Sequence, residues 1–251
     1  MAFERVGLLH PGEMGAALGT VLRGQGVRVV WASDGRSEQT RERAEAAGLE
    51  DVGSPHEVGR SDVVLSICPP HAALDAAGSL GPFGGLYVDA NAVSPATARG
   101  VAEVVHAAGG RFVDGGIVGS PPREAGMTRL YLSGDDAPAI AALFEGSVLD
   151  APVVSNASAV KMAYAAWTKG TAAMLLAIRE LARSEGVEET LLAEWDLSQP
   201  ELREWHERAA RSAGAKGWRW VGEMEEIAAS FEADGLPGGF HRAAAEVYRG
   251  R

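Results

Sequence analysis

Between an apolar run and a helix-spaced one, the stretch VGLLHPGEMGAALG sets Gly12 and Gly15 three residues apart. A strand, a tight turn and a helix in that order present free backbone N–H groups to a pyrophosphate. Gly12 and Gly15 hold the second and third glycine positions of G-x-G-x-x-G, and His10 stands at the first. The second position lets the backbone approach phosphate, and the third lets helix and strand pack closely. The first serves the turn, where histidine tolerates unusual φ better than most residues. The spacing predicts a dinucleotide loop over His10, Pro11, Gly12, Glu13, Met14 and Gly15, with an altered turn.

Counted on from Gly15, the ribose-reading place at the end of the next strand falls at Ser33, followed by Asp34, Arg36 and Ser37. An acid there would read the 2′-OH of NAD. Ser33, Arg36 and Ser37, with Arg41, could instead hold the 2′-phosphate of NADP. NADP is the expected cofactor; NAD stays open because Asp34 points the other way, and the arginines also read as a solvated face.

The elements that must position these residues alternate through the first two thirds of the chain. Strand runs at Arg5–Leu9, Val27–Ala32, Asp62–Cys68, Gly85–Asp89, Gly110–Asp114 and Arg129–Ser133 are interleaved with helical segments such as Gly12–Gly24 and Ser37–Ala47. That rhythm predicts an α/β fold, a Rossmann-type doubly wound parallel sheet over residues 1–154. An all-α domain is expected over 155–251. Its first helix, Ser158–Arg183, is Ala-rich and proline-free, about 39 Å long at 1.5 Å per residue. Thr190–Trp195, Gln199–Ala213, Trp218–Ala233 and a last helix from His241 follow. Trp167, Trp195, Trp205, Trp218 and Trp220 crowd this small helical part, which predicts a homodimer through it.

Composition narrows the function further. The net charge of −11 speaks against nucleic acid or an anionic membrane as partner. A single cysteine, Cys68, permits no internal disulfide and fits a reducing cytoplasm. No apolar run approaches a membrane span, and the N-terminus lacks a signal-peptide pattern. The six histidines show no close pair at metal-ligand spacing, so no metal is expected. Glu223, Glu225 and Glu226 read as a solvated helix face.

Four segments in order, HPGEMG, VDANAVSP, FVDGGIVGSPPREAGMTRLYLSG and SNASAVKMAYAAWTKG, resemble the β-hydroxyacid dehydrogenase group. These are relatives of 6-phosphogluconate dehydrogenase and include imine reductases. The resemblance runs to about Ala177, and the remainder looks like a branch with a shorter helical domain. It implies that Gly12, Glu13 and Met14 lie along the pyrophosphate, and that Cys68, Pro69 and Pro70 lie near a ribose. Asn91 stands where D-x-S-T has serine, and Val118 and Gly119 stand where D-A-P-V-S-G-G has serine and glycine. Lys161 falls on the catalytic lysine. The asparagine that usually follows one turn on is Ala165 here, and the glutamate of phosphogluconate dehydrogenases is Thr168. Helix geometry independently puts Lys161, Tyr164, Ala165 and Thr168 on one face, with Lys169 rotated off it by roughly 80°.

The expected function is NAD(P)-dependent hydride transfer to or from a small hydroxy acid or related alcohol. Lys161 would be the general acid/base, given burial or a neighbouring cation to bring its pKa from ~10.4 toward neutrality. Asn91 and Thr168 or Tyr164 would be its hydrogen-bonding partners in substrate binding, and Arg123 or Lys169 a possible carboxylate holder. An imine or ketone reductase is the enzymatic alternative; a non-catalytic NADP-binding sensor or structural protein is the alternative of another class.

Overall fold

A computed structural model of the chain describes residues 3–250. It comprises two compact units, the first running to Lys161 and the second starting at Met162, a boundary inside one helix. Among the described residues of the first unit, seven strands form one sheet. They are β1 (Arg5–Leu9), β2 (Arg28–Trp31), β3 (Glu50–Asp51), β4 (Val63–Ser66), β5 (Leu86–Asp89), β6 (Arg111–Gly119) and β7 (Thr128–Ser133). Helices α1 (Glu13–Gly24), α2 (Glu38–Ala46), α3 (Pro55–Val58), α4 (Ala73–Gly78), α5 (Pro95–Ala107) and α6 (Ala137–Ala141) connect them. The strand order is β3-β2-β1-β4-β5-β6-β7. All pairings are parallel except the last, where β7 runs antiparallel to β6.

The parallel strands are short apolar runs because both faces are covered. Successive residues go to opposite cores: Val6, Leu8, Val63, Leu65 and Val88 to one, Leu9, Val64 and Tyr87 to the other. The chain reverses direction of winding between β1 and β4, so the carboxyl ends of those two strands flank the crevice where such sheets bind nucleotides.

Four helices follow: α7 (Ala157–Ser184), α8 (Glu188–Ser198), α9 (Leu202–Ala233) and α10 (Gly239–Arg249). The break expected between Ala213 and Trp218 does not occur; Gly214 and Gly217 lie inside α9. Its buried residues Ala209, Ala213, Gly217, Met224 and Ile227 form a stripe at helical spacing. Packing of that stripe outweighs the ~1 kcal/mol that each glycine costs a helix. No described helix is long and apolar enough to cross a membrane.

Candidate functional site

The glycine loop leaves β1 through His10, whose φ of 63° is the sole positive value at a described residue other than glycine. The Gly12 N–H closes the turn by donating to the His10 carbonyl at 2.7 Å. A Cβ on Gly15 would stand 2.8 Å from that same carbonyl oxygen, so α1 can lie against the turn only with glycine there. Gly12 differs. It is the N-cap of α1 and makes no side-chain cap, and an added Cβ would meet nothing nearer than the His10 carbonyl at 4.0 Å. The first-turn N–H groups of α1 have no acceptor within the helix, and the helix dipole adds partial positive charge there. An open glycine face beside an uncapped helix N-terminus fits a pyrophosphate.

The His10 ring is kept neutral. Burial, and then the positive charge of Arg36, lowers its pKa to about 4. Its Nδ1 is buried without a hydrogen-bond partner.

At the end of β2, Ser33 is buried and its N–H donates to Asp51 Oδ1 at 3.2 Å. Arg41 donates to the Ser33 carbonyl at 2.8 Å. Ser37 caps α2, its hydroxyl oxygen accepting from the Thr40 N–H. Ser37 and Arg41 are thus tied into the turn itself. Arg36 is half-buried, its Nε has no hydrogen-bond partner, and its charge bears on both His10 and Cys68. Of the residues expected at a 2′-phosphate, Arg36 has the guanidinium that the local fold does not consume. Asp51, which also accepts from the Gly53 N–H at 2.8 Å, was not foreseen; it lies on a strand of two residues.

Beyond β4, the Cys68 N–H donates to Asn91 Oδ1 at 2.6 Å, and Asn91 Nδ2 donates to Ser66 Oγ at 3.2 Å. The Asn91 N–H donates to Asp89 Oδ1 at 3.0 Å. Asn91 is 2% exposed, so its amide braces the turn that carries Cys68, Pro69 and Pro70. Burial pushes the Cys68 thiol up to about 12, which removes it as a nucleophile at neutral pH.

Val118 is buried on β6. Gly119, at φ 117°, closes the strand where a Cβ would overlap the Met127 carbonyl. Lys161 rises from α7 where that helix meets β6: a Cβ on Gly116 would lie 2.8 Å from the Lys161 Cβ. In the second unit, Tyr164 is exposed and the Thr168 hydroxyl donates to the Tyr164 carbonyl at 3.2 Å. Lys169 Nζ donates to Glu223 Oε1 at 2.6 Å, with both side chains largely buried. That corrects the reading of Glu223 as a solvated charge: α9 turns it inward to meet a lysine 54 residues away. His241 is packed among the rings of Phe231 and Phe240, at 4.3 and 5.2 Å. Among the described residues, no group of three or more His, Cys, Asp or Glu side chains could hold a metal ion.

Thus the structure gathers His10, Gly12, Gly15, Arg36, Cys68 and Asn91 at the carboxyl edge of the sheet. A family model described as the NAD binding domain of 6-phosphogluconate dehydrogenase matches residues 5–143. A second, described as a domain of unknown function, matches 182–250. An uncharacterized 28.5 kDa protein in the 7S RNA 5′ region of Methanothermus fervidus is 31% identical over 193 residues, 75% of this chain and 74% of that protein. Conserved protein MTH1747, of unknown function and described as structurally similar to 3-hydroxyacid dehydrogenases, shares 30% identity at a TM-score of 0.71. The match covers 98% of this chain and 96% of that one. A Mycobacterium tuberculosis 3-hydroxyisobutyrate dehydrogenase solved with L-serine shares the fold. It has 19% identity and a TM-score of 0.70, over 99% of this chain and 94% of that one.

Proposed function

The chain belongs to the family of the NAD binding domain of 6-phosphogluconate dehydrogenase, and from that premise we propose that it is an NADP-linked oxidoreductase acting on a small hydroxy acid or related alcohol. The observation that carries the reading is the open face of Gly12 at the uncapped start of α1, beside the crevice between β1 and β4. There the backbone N–H groups of α1 would bind the pyrophosphate, and Arg36 would take the 2′-phosphate. Asn91 braces the Cys68–Pro70 turn, which would lie beside the nucleotide. A nicotinamide bound there would supply the hydride chemistry. Lys161 moves the accompanying proton: its amine takes the hydroxyl proton during oxidation, and its ammonium returns one to the carbonyl oxygen during reduction. Val118, Gly119, Tyr164 and Thr168 complete the substrate-binding set. Loss of the asparagine and glutamate positions at Ala165 and Thr168 speaks against phosphogluconate itself as substrate.

We assign the protein to the cytoplasm and propose a homodimer through the second unit. Trp167, Met174, Ile178 and Leu181 are exposed on α7 at spacings of a single helix stripe, which supports a partner helix there. Sedimentation at several concentrations tests it.

The function is tested by NADPH and NADH titration, then by turnover with panels of hydroxy acids, keto acids and cyclic imines. Turnover on a hydroxy or keto acid is expected, with Lys161→Met lowering it roughly 10²- to 10⁴-fold while NADPH still binds. Full turnover by Lys161→Met would overturn the assignment of the lysine. Turnover on imines alone would make the protein a reductase of that class, and binding without turnover would make it a sensor.

A further inference from the structure

We infer that Asp114 is a positioning residue for Lys161: together with Ser133 it forms a clasp that seats the first turn of α7 on the sheet. The inference rests on the reading of Lys161 as the proton-transfer group. Asp114 on β6 lies opposite Ser133 on β7. Its Oδ2 accepts from the Ser133 hydroxyl at 2.9 Å and from the Ser158 N–H at 2.8 Å. Ser133 Oγ in turn accepts from the Ala157 N–H at 2.9 Å. The next donor, the Ala159 N–H, goes to Asn156 Oδ1 at 2.9 Å.

Asn156 alone would cap this helix in the ordinary way, from the residue just ahead of it. The clasp does something a local cap cannot. Its two acceptors belong to the sheet, so they hold the first turn of α7 in height and rotation relative to β6 and β7. A slip of one residue would swing Lys161 by about 100° around the helix axis. Gly116 completes the seat. A Cβ there would fall 2.7 Å from the Ala157 carbonyl oxygen and 2.8 Å from the Lys161 Cβ, so the helix rests on bare backbone where the lysine departs. Asp114 is an expensive choice of acceptor: burial pushes its pKa up, and the Ser158 and Ser133 hydrogen bonds act against that rise. The acceptor oxygen sits at the N-terminus of α7, the end of the helix dipole that favours partial negative charge.

The chain has three lysines, Lys161, Lys169 and Lys216. Reductive methylation with isotope-labelled formaldehyde therefore gives a resolvable probe on each, assigned by Lys→Arg variants. In Asp114→Ala, hydrogen exchange at the Ser158 amide should speed up about ten-fold, as expected for loss of one buried hydrogen bond. The Lys161 methyl signal should shift and its titration should move, while those of Lys169 and Lys216 stay. Asp114→Asn retains an oxygen that can accept both bonds, and should restore most of the Ser158 protection and the Lys161 signal. If Asp114→Ala fails to fold, Ser133→Ala removes the hydroxyl that accepts from the Ala157 N–H, and faster exchange at the Ala157 amide with a shifted Lys161 signal is the expected result.

Unchanged Ser158 exchange in the folded variant would overturn the clasp. Faster exchange with an unmoved Lys161 titration and an unmoved pH profile of turnover would reduce Asp114 to a helix cap. Failure of the lysine reading shows separately, as full turnover by Lys161→Met, with the exchange and methyl signals unaffected by that result.

Discussion

Replacing Gly12 and Gly15 one at a time by alanine separates ligand contact from packing. At Gly12 the backbone is extended (φ −67°, ψ −171°), a conformation open to any residue. The added methyl would have open space around it, with the His10 carbonyl 4.0 Å away. Gly12→Ala should cost the free protein about 1 kcal/mol or less, the difference between two N-caps. The same methyl stands on the face over which α1 would receive the pyrophosphate. Loss of one hydrogen bond to a charged group costs about 1.5–3 kcal/mol, so cofactor affinity should fall about ten- to hundred-fold. At Gly15 the methyl would sit 2.8 Å from the His10 carbonyl oxygen, which is rigid backbone. Relieving that overlap costs about 1–3 kcal/mol, less up to ~1 kcal/mol returned by the better helix propensity of alanine. At roughly 2–4 °C per kcal/mol for a chain of this size, the melting temperature should drop by several degrees. Thermal unfolding with and without NADPH, beside a fluorescence titration of NADPH, reads both effects. Gly12→Ala should melt close to the parent alone but lose most of the rise that cofactor brings; Gly15→Ala should melt lower in both conditions. A Gly12→Ala protein that binds NADPH as tightly as the parent would refute the placement of the pyrophosphate over α1.

Three other perturbations have equally definite outcomes. The His10 imidazole releases its proton at about 4 in the folded chain, against 6.5 unfolded. Between those values the unfolded chain binds the extra proton, so stability falls as pH drops through that window, and above it the ring adds no pH dependence. At ~1.4 kcal/mol per pH unit the ceiling is near 3 kcal/mol, and solvent around the half-exposed ring brings the expected loss to about 1–2 kcal/mol. His10→Asn, which tolerates the same positive φ, should lose that much less between pH 7 and 4 in urea unfolding, and parallel curves would contradict the cause. Breaking the buried Lys169–Glu223 pair by Lys169→Met or Glu223→Leu should cost about 3–5 kcal/mol each, and the double variant should recover much of it. Additive costs in chemical denaturation would show the two charges to be uncoupled. Arg36→Ala should weaken NADPH about tenfold or more, the scale of one lost charge-assisted bond, and leave NADH nearly untouched; equal losses would remove Arg36 from the 2′-phosphate.

The sheet was legible because each of its central strands is a short apolar run closed by a glycine- or proline-containing turn, as a strand covered on both faces must be. The exceptions have the same cause in reverse. Glu50 and Asp51 form β3 while exposed, so no apolar signal marks them. The glycines of α9 mark a break in the local code, and the burial of Ala213, Gly217 and Met224 overrides it. Local pattern finds an element when the element's own residues hold it, and misses it when a neighbour does.

The same division runs through the site. The loop His10–Gly15 could be read directly because its demands are backbone demands, met within six residues: an αL turn, an open face and a close packing contact. What a hydroxyl, amide or ammonium group is doing depends on partners the chain brings from far away. Ser33 meets an acceptor 18 residues on through its backbone N–H, the Asn91 amide a hydroxyl 25 residues back, and the Lys169 ammonium a carboxylate 54 residues on. Each looked available for ligand in the sequence, and each has such a bond in the fold. Arg36 stands apart from them, since its orphaned Nε and its influence on His10 and Cys68 leave it charge in hand at the rim of the nucleotide crevice. Cofactor choice should therefore turn on this one guanidinium more than on the serines around it. Ser37→Ala, which removes a helix cap, should lower stability by about 0.5–2 kcal/mol without changing the ratio of NADPH to NADH affinity. A ratio that moved with Ser37 as much as with Arg36 would return the hydroxyl to the 2′-phosphate site.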